Sequence, residues 1–101
     1  MAVESELSQD GKKLTIRVKS RFDFGKHQEF SSSYERRPAY LDSVVVDLKE
    51  ATYLDSSALG MLLLLRDHLG GSSSNISVIN TSSDVRSILT ISNFEQLFDI
   101  S

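Results

Sequence analysis

Cysteine and tryptophan are absent from the 101 residues, proline occurs once and histidine only twice. Without cysteine there is neither a disulfide framework nor a thiolate metal site, and His27 and His68 make no zinc-ligand cluster. No metal or other cofactor is expected. Long apolar runs are missing too. The longest, Met61 to Leu65, falls far short of the ~20 residues of a membrane span, and Met1 to Glu6 has neither a basic nor an apolar leader region. The expectation is a cytoplasmic chain with no direct membrane insertion. Basic clusters are scarce: Lys+Arg number 11 against Asp+Glu 14, for a net charge of -3. Nucleic acid is therefore not expected as a partner, because neutralising several phosphates takes clustered cations. The doublets Lys12-Lys13 and Arg36-Arg37 read as solvated charges. One domain, 1–101, fits this length. Such a chain buries roughly 60 to 70% of its unfolded surface, enough for a core but not for a core and a deep cleft. That disfavours an enzyme of large substrates.

What is present is a series of short, distinct patterns. Residues 3 to 9 alternate weakly before Asp10-Gly11, a pair suited to the positive φ of a tight hairpin turn. Leu14, Ile16 and Val18 alternate with Thr15, Arg17 and Lys19, so an N-terminal hairpin is expected. From Lys26 to Arg37, Phe30 and Tyr34 lie four apart on one helix face, and Pro38 ends the helix. Ser43 to Leu48 is β-branched and apolar on both faces, as in a strand covered on both sides. Asp55-Ser56-Ser57 favours a helix N-cap ahead of Ala58 to Leu69, and Gly70-Gly71 stops that helix. Ser72 to Asn75 reads as a four-residue flexible linker. Ile76, Val78 and Ile79 form another strand, Thr81 to Asp84 a second capping cluster, and Val85, Ile88 and Leu89 a helix face. Asn93 is a left-handed terminator. The tail Phe94, Leu97, Phe98 and Ile100 docks as a strand or as a helical turn. Strands alternating with helices imply an α/β fold with crossover connections.

The richest segment is Tyr53-Leu54-Asp55-Ser56-Ser57-Ala58-Leu59-Gly60, where a strand runs into a helix N-terminus. Such an end carries unpaired N–H groups and about half a positive charge, so a phosphoryl group could form there without melting the helix. Taken alone, the same residues read as an ordinary cap. Serine hydrolysis would need Gly-x-Ser-x-Gly and a general base, and neither is present. Ala58, Leu62, Leu65 and Leu69 form the inward face. Leu59, Met61, Leu63 and Leu64 are left for neighbouring helices or for a docking surface. Gly60 costs about 1 kcal/mol against alanine in a helix, which points to close approach by this backbone or a partner's. Asp23, between Phe22 and Phe24, reads either as a turn carboxylate between two core aromatics or as a loop beside the cap. Ser31 to Ser33 and Ser72 to Ser74 read as solvated runs.

Four segments together resemble the STAS-domain family of bacterial anti-sigma factor antagonists. They are Arg21-Phe22-Asp23, Val44-Val45-Val46-Asp47-Leu48, Leu54 to Gly60, and Ile91-Ser92-Asn93-Phe94. Arg21 to Gly25 and Leu59 to Arg66 are most similar to the HsbA-like antagonists of Gram-negative bacteria. The resemblance implies a STAS-like single domain: a small mixed β-sheet with an N-terminal hairpin and helices mainly on one face. It also implies partner switching. The unphosphorylated chain captures an anti-sigma factor or switch kinase, phosphorylation by a serine kinase releases it, and a PP2C-type phosphatase resets it. The phosphoacceptor falls on Ser56, with Ser57 the less favoured neighbour. The implied docking residues are Asp23, Asp55, Ser56, Ser57, Leu59, Gly60, Met61 and Leu63. The subgroup likeness points to motility or biofilm control. The alternative is a STAS accessory subunit of a membrane transporter, bound constitutively to its ATPase. Two departures from the family stand out. Ser20 occupies a position where it often has glycine, which implies a differently shaped Asp23 loop. The chain also ends at Ser101, where the family usually continues into a C-terminal helix.

Overall fold

A computed structural model describes residues 2–35 and 41–101. Pro38 and the Arg36-Arg37 doublet lie outside them. The N-terminal hairpin joins β1 (Val3–Leu7) to β2 (Lys13–Val18), with Val3 opposite Val18 and Leu7 opposite Leu14. The connection is wider than a two-residue turn. Ser8 N–H donates to Lys13 O, and only Gly11 in it takes a positive φ, +73°. A three-residue strand β3 (Ser20–Phe22) and a 3-10 turn, Phe24–Lys26, lead into α1 (His27–Glu35). Then come β4 (Ser43–Asp47), β5 (Ala51–Leu54), α2 (Ser56–His68), β6 (Ile76–Ile79), α3 (Ser83–Ile91) and β7 (Asp99–Ile100).

Five strands form the main sheet in the order β1-β2-β4-β6-β7, antiparallel only between β1 and β2. The parallel neighbours need the crossovers that the helices provide. β3 and β5 pair separately as a parallel two-stranded ribbon. One face of the main sheet is the core. Leu14, Ile16 and Val18 on β2, Val44 and Val46 on β4, and Ile76 and Val78 on β6 are all buried. The opposite face carries Thr15, Val45 and Ser77 in one row and Glu4, Arg17 and Asp47 in the next. Arg17 links the two rows, 3.2 Å from Glu6, which stands opposite Thr15, and 3.8 Å from Asp47. β4 is therefore covered on one face only, and Val45 stays half-buried. The reason lies in its neighbours: Thr15 and Ser77 flank Val45, so no apolar surface extends across the open side.

Phe30 and Tyr34 do point inward from α1, and Phe30 packs on Phe22 at 5.0 Å between ring centroids. Such a pair contributes about 0.5–1.5 kcal/mol beyond area burial. Ser33 is not solvated: it is buried, and its hydroxyl donates to Phe30 O at 2.5 Å. Nor is Ser72 to Asn75 a loose linker, because Gly71–Ser73 is a 3-10 turn and the Ser73 and Ser74 hydroxyls donate to Gly70 O and Gly71 O. The tail uses both expected forms, a 3-10 turn Phe94–Gln96 and then β7, with Asn93 left-handed at φ 61°. Ser20 takes φ 64° at a register shift between β3 and β5. A serine here adopts the backbone that glycine takes freely, at a cost of roughly 1–2 kcal/mol.

Candidate functional site

Strand pairing assembles the site. Phe22 lies opposite Leu54, and Asp55 N–H donates to Phe22 O at 3.4 Å, so β3 and β5 end side by side. Beyond β5, Asp55 caps α2. Its Oδ1 accepts from Ala58 N–H at 3.0 Å and from the Ser57 hydroxyl at 2.6 Å. The Ser57 hydroxyl, followed by the Ala58 and Ser57 N–H groups, holds the Asp55 carboxyl below the usual carboxylate range, and the Arg21 charge acts in the same direction. Beyond β3, Asp23 caps the 3-10 turn: its Oδ1 accepts from Gly25 N–H at 3.0 Å, and Lys26 Nζ lies 3.7 Å from it. A Cβ on Gly25 would sit 3.1 Å from that oxygen, so the turn is tight.

The two serines are placed differently. Ser57 is half-buried with its hydroxyl on Asp55, whereas Ser56 is exposed and its hydroxyl donates no hydrogen bond among the described residues. Around Ser56, α2 divides sharply. Ala58, Met61, Leu62 and Leu65 are buried, while Gly60 is exposed, Leu59 half-buried, and Leu63 and Leu64 are 42% and 53% exposed. Met61 therefore faces the core, against its expected place in the docking set, because its position in the helical repeat falls between Ala58 and Leu65. A Cβ added at Gly60 would meet nothing within 4 Å among the described residues, so close packing by their backbone is not what calls for glycine here.

Only one of the aromatics around Asp23 belongs to the core. Phe22 is fully buried, but Phe24 is 70% exposed and stacks on His27 at 5.4 Å. The sequence pattern did not reveal the pair formed by Arg21 and Tyr53. The Arg21 guanidinium lies 4.6 Å from the centroid of the exposed Tyr53 ring, with Nε 3.6 Å from Asp23 Oδ2. Only the β3–β5 register, which puts Arg21 opposite Tyr53, brings them together. Asp23 and Asp55 thus lie at the adjoining ends of β3 and β5, Ser56 and Ser57 open α2, and Leu59, Gly60 and Leu63 follow within its next two turns. No group of His, Asp or Glu among the described residues could hold a metal ion.

A mixed sheet covered on one face, with a capped helix start after β5 and a turn carboxylate after β3, is the architecture that the comparisons with known proteins match. The family model described as "Mlab, STAS domain" matches residues 5–99, and the chain belongs to that family. A "STAS-domain containing protein PA14_20770" of Pseudomonas aeruginosa is 60% identical over 101 residues, all of both chains. Three solved structures share the fold. A Thermotoga maritima protein described as a "putative anti-sigma factor antagonist" has a TM-score of 0.81 at 12% identity, over 97% of this chain and 84% of its own. The Bacillus cell fate determinant SpoIIAA in its phosphorylated form gives 0.69 at 15%, over 99% and 91%. A sulfate transporter family protein of Wolinella succinogenes gives 0.74 at 10%, over 90% and 73%.

Proposed function

We propose that this chain is a non-enzymatic, cytoplasmic anti-sigma factor antagonist that works by partner switching, with Ser56 as the switch. The observation that carries this reading is the unequal commitment of the two serines: Ser57 is tied to Asp55, and Ser56 is exposed, its hydroxyl making no hydrogen bond among the described residues, beside the outward apolar side of α2. Solved structures of the same fold that include the anti-sigma factor antagonist SpoIIAA, in unphosphorylated and phosphorylated forms, support it. Unphosphorylated, the chain docks an anti-sigma factor or switch kinase on Asp23, Asp55, Ser56, Ser57, Leu59, Gly60 and Leu63. A serine kinase transfers the γ-phosphoryl group of ATP to the Ser56 oxygen, which gives up its proton, and ADP leaves. A PP2C-type phosphatase hydrolyses the ester. The output is sigma-factor-dependent transcription, with motility or biofilm control the process that the subgroup resemblance suggests.

The energetics suit a switch. A phosphoserine brings about -1.5 to -2 charge, and at a helix N-terminus that charge is tolerated or favoured by about 0.3 to 2 kcal/mol. Buried unpaired in an interface it costs about 4 kcal/mol, or roughly 10³ in affinity. Phosphopeptide mapping with the cognate kinase and capture by Ser56→Ala and Ser56→Asp test the reading. The label should fall on Ser56, Ser56→Ala should keep its partner, and Ser56→Asp should lose it. Equal capture by the two, together with co-purification of a membrane ATPase complex, would replace this reading with that of a transporter subunit, which the transporter-family neighbour supports.

A further inference from the structure

Arg21 sits on β3 opposite Tyr53, itself three residues before Ser56, and makes no close hydrogen bond among the described residues. Alternation along the ribbon puts Arg21 and Asp23 on the same outer side as Tyr53 and Asp55. The guanidinium is oriented by the face of Tyr53, and cation–π contact keeps it there. Its hold on Asp23 is loose. Nε is 3.6 Å from the carboxylate, and the terminal nitrogens donate no hydrogen bond among the described residues. Asp23 does not depend on Arg21, because Gly25 N–H and Lys26 Nζ serve its other oxygen. The side chain of Arg21 is 64% exposed, so most of it faces solvent and not protein. Asp55, the residue before Ser56, already feels its charge.

Resting on the Ser56 switch, we propose that Arg21 is the positioning residue of the phosphorylated state: its guanidinium leaves Asp23 to Lys26 and pairs with the phosphoserine dianion. The planar fork of arginine matches two phosphate oxygens at once, which the point charge of Lys26 does not. The pair holds the dianion in place over the docking side and lowers its affinity for a proton.

The test uses the full chain with phosphoserine installed at position 56 by genetic encoding, so that no kinase is needed, and follows its ³¹P shift against pH. An unpaired phosphoserine loses its second proton near pH 6. The wild-type ester should titrate about half to one pH unit below that of Arg21→Gln. Arg21→Lys should recover part of the difference, and Lys26→Gln should move the midpoint less than Arg21→Gln does. Each variant is checked for an unchanged fold by circular dichroism. Coincident titrations of wild type and Arg21→Gln would overturn the role of Arg21 even if Ser56→Asp still lost its partner. A kinase label found elsewhere would instead remove Ser56 as the switch and leave the ³¹P comparison standing.

Discussion

Two helices in this molecule begin almost identically. α2 has Asp55 as its cap and Ser56 as its first residue; α3 has Ser82 as its cap and Ser83 as its first residue. Both caps accept a hydrogen bond from the N–H three residues on, and both first serines are exposed. Their surroundings differ. Next to Ser56 stand a capped turn carboxylate, an arginine stacked on tyrosine, and a helix side with Leu63 and Leu64 outward. Next to Ser83 stand Asp84 in the same first turn and a shallow groove lined by Arg86, Ser87, Thr90 and Ile91. What sets the proposed switch at Ser56 apart from Ser83 is therefore not the helix start, which the two share, but the neighbours supplied by β3 and the outer side of the helix.

The sharpest way to break that contrast is to place a charge at each start in turn. Ser56→Asp should reduce capture of the partner by up to about 10³-fold, whereas Ser83→Asp should leave the dissociation constant within twofold. Isothermal titration with the captured partner reads both. A next, smaller effect belongs to the outward faces. Leu63→Glu should weaken binding by about 10- to 100-fold with little loss of stability, since Leu63 is already 42% exposed. Ile91→Glu, on the more exposed α3 site, should leave binding unchanged. An equal loss from both would mean that the docking surface is not confined to α2.

The caps allow a comparison that titrates. Replacing either cap residue by alanine should cost about 1 kcal/mol at neutral pH. Asp55 has a folded pKa below its unfolded value near 3.9. Its contribution is thus complete above about pH 4 and fades as the pH falls through the lower folded value. The stability gap between wild type and Asp55→Ala should therefore narrow on acidification, while the gap for Ser82→Ala should not change through this group. Urea unfolding at pH 7 and pH 3 measures both, and a constant gap for Asp55→Ala would contradict the cap geometry.

Local chemistry made these two starts legible in the sequence. Asp-Ser-Ser and Ser-Ser-Asp name their own caps, and Leu14, Ile16 and Val18 name their face by alternation. The ribbon was not legible in the same way. Ser20 separates β3 from β2 by taking a left-handed φ that serine does not advertise, so nothing in the sequence marked Ser20–Phe22 as a strand of its own. The open side of β4 was hidden because Val45 is apolar, and only its sheet neighbours Thr15 and Ser77 leave it uncovered. Met61 was misplaced because a helix this apolar offers no polar face to orient it. Arg21 and Tyr53 meet through register between strands far apart in sequence, which periodicity does not encode. The candidate residues could be named from the chain, but how they lie relative to one another needed the pairing of β3 with β5.

The smallest expected effects separate two glycine choices. At Ser20 the backbone wants glycine and has serine; at Gly60 the helix would favour alanine and has glycine, with nothing within 4 Å of an added Cβ. Ser20→Gly should relieve strain by about 1 kcal/mol and leave partner capture unaltered, because Ser20 only shapes the entry to β3. Gly60→Ala should also stabilise the isolated chain, by up to about 1 kcal/mol, raising Tm by about 4–8 °C. The second variant should differ from the first in weaker binding, because an exposed helical glycine that the fold does not need fits a partner backbone lying against α2. If Gly60→Ala gained the same stability and kept full affinity, the partner would have to sit nearer the Ser56 end of the helix, over Asp23 and Leu59, than over its middle.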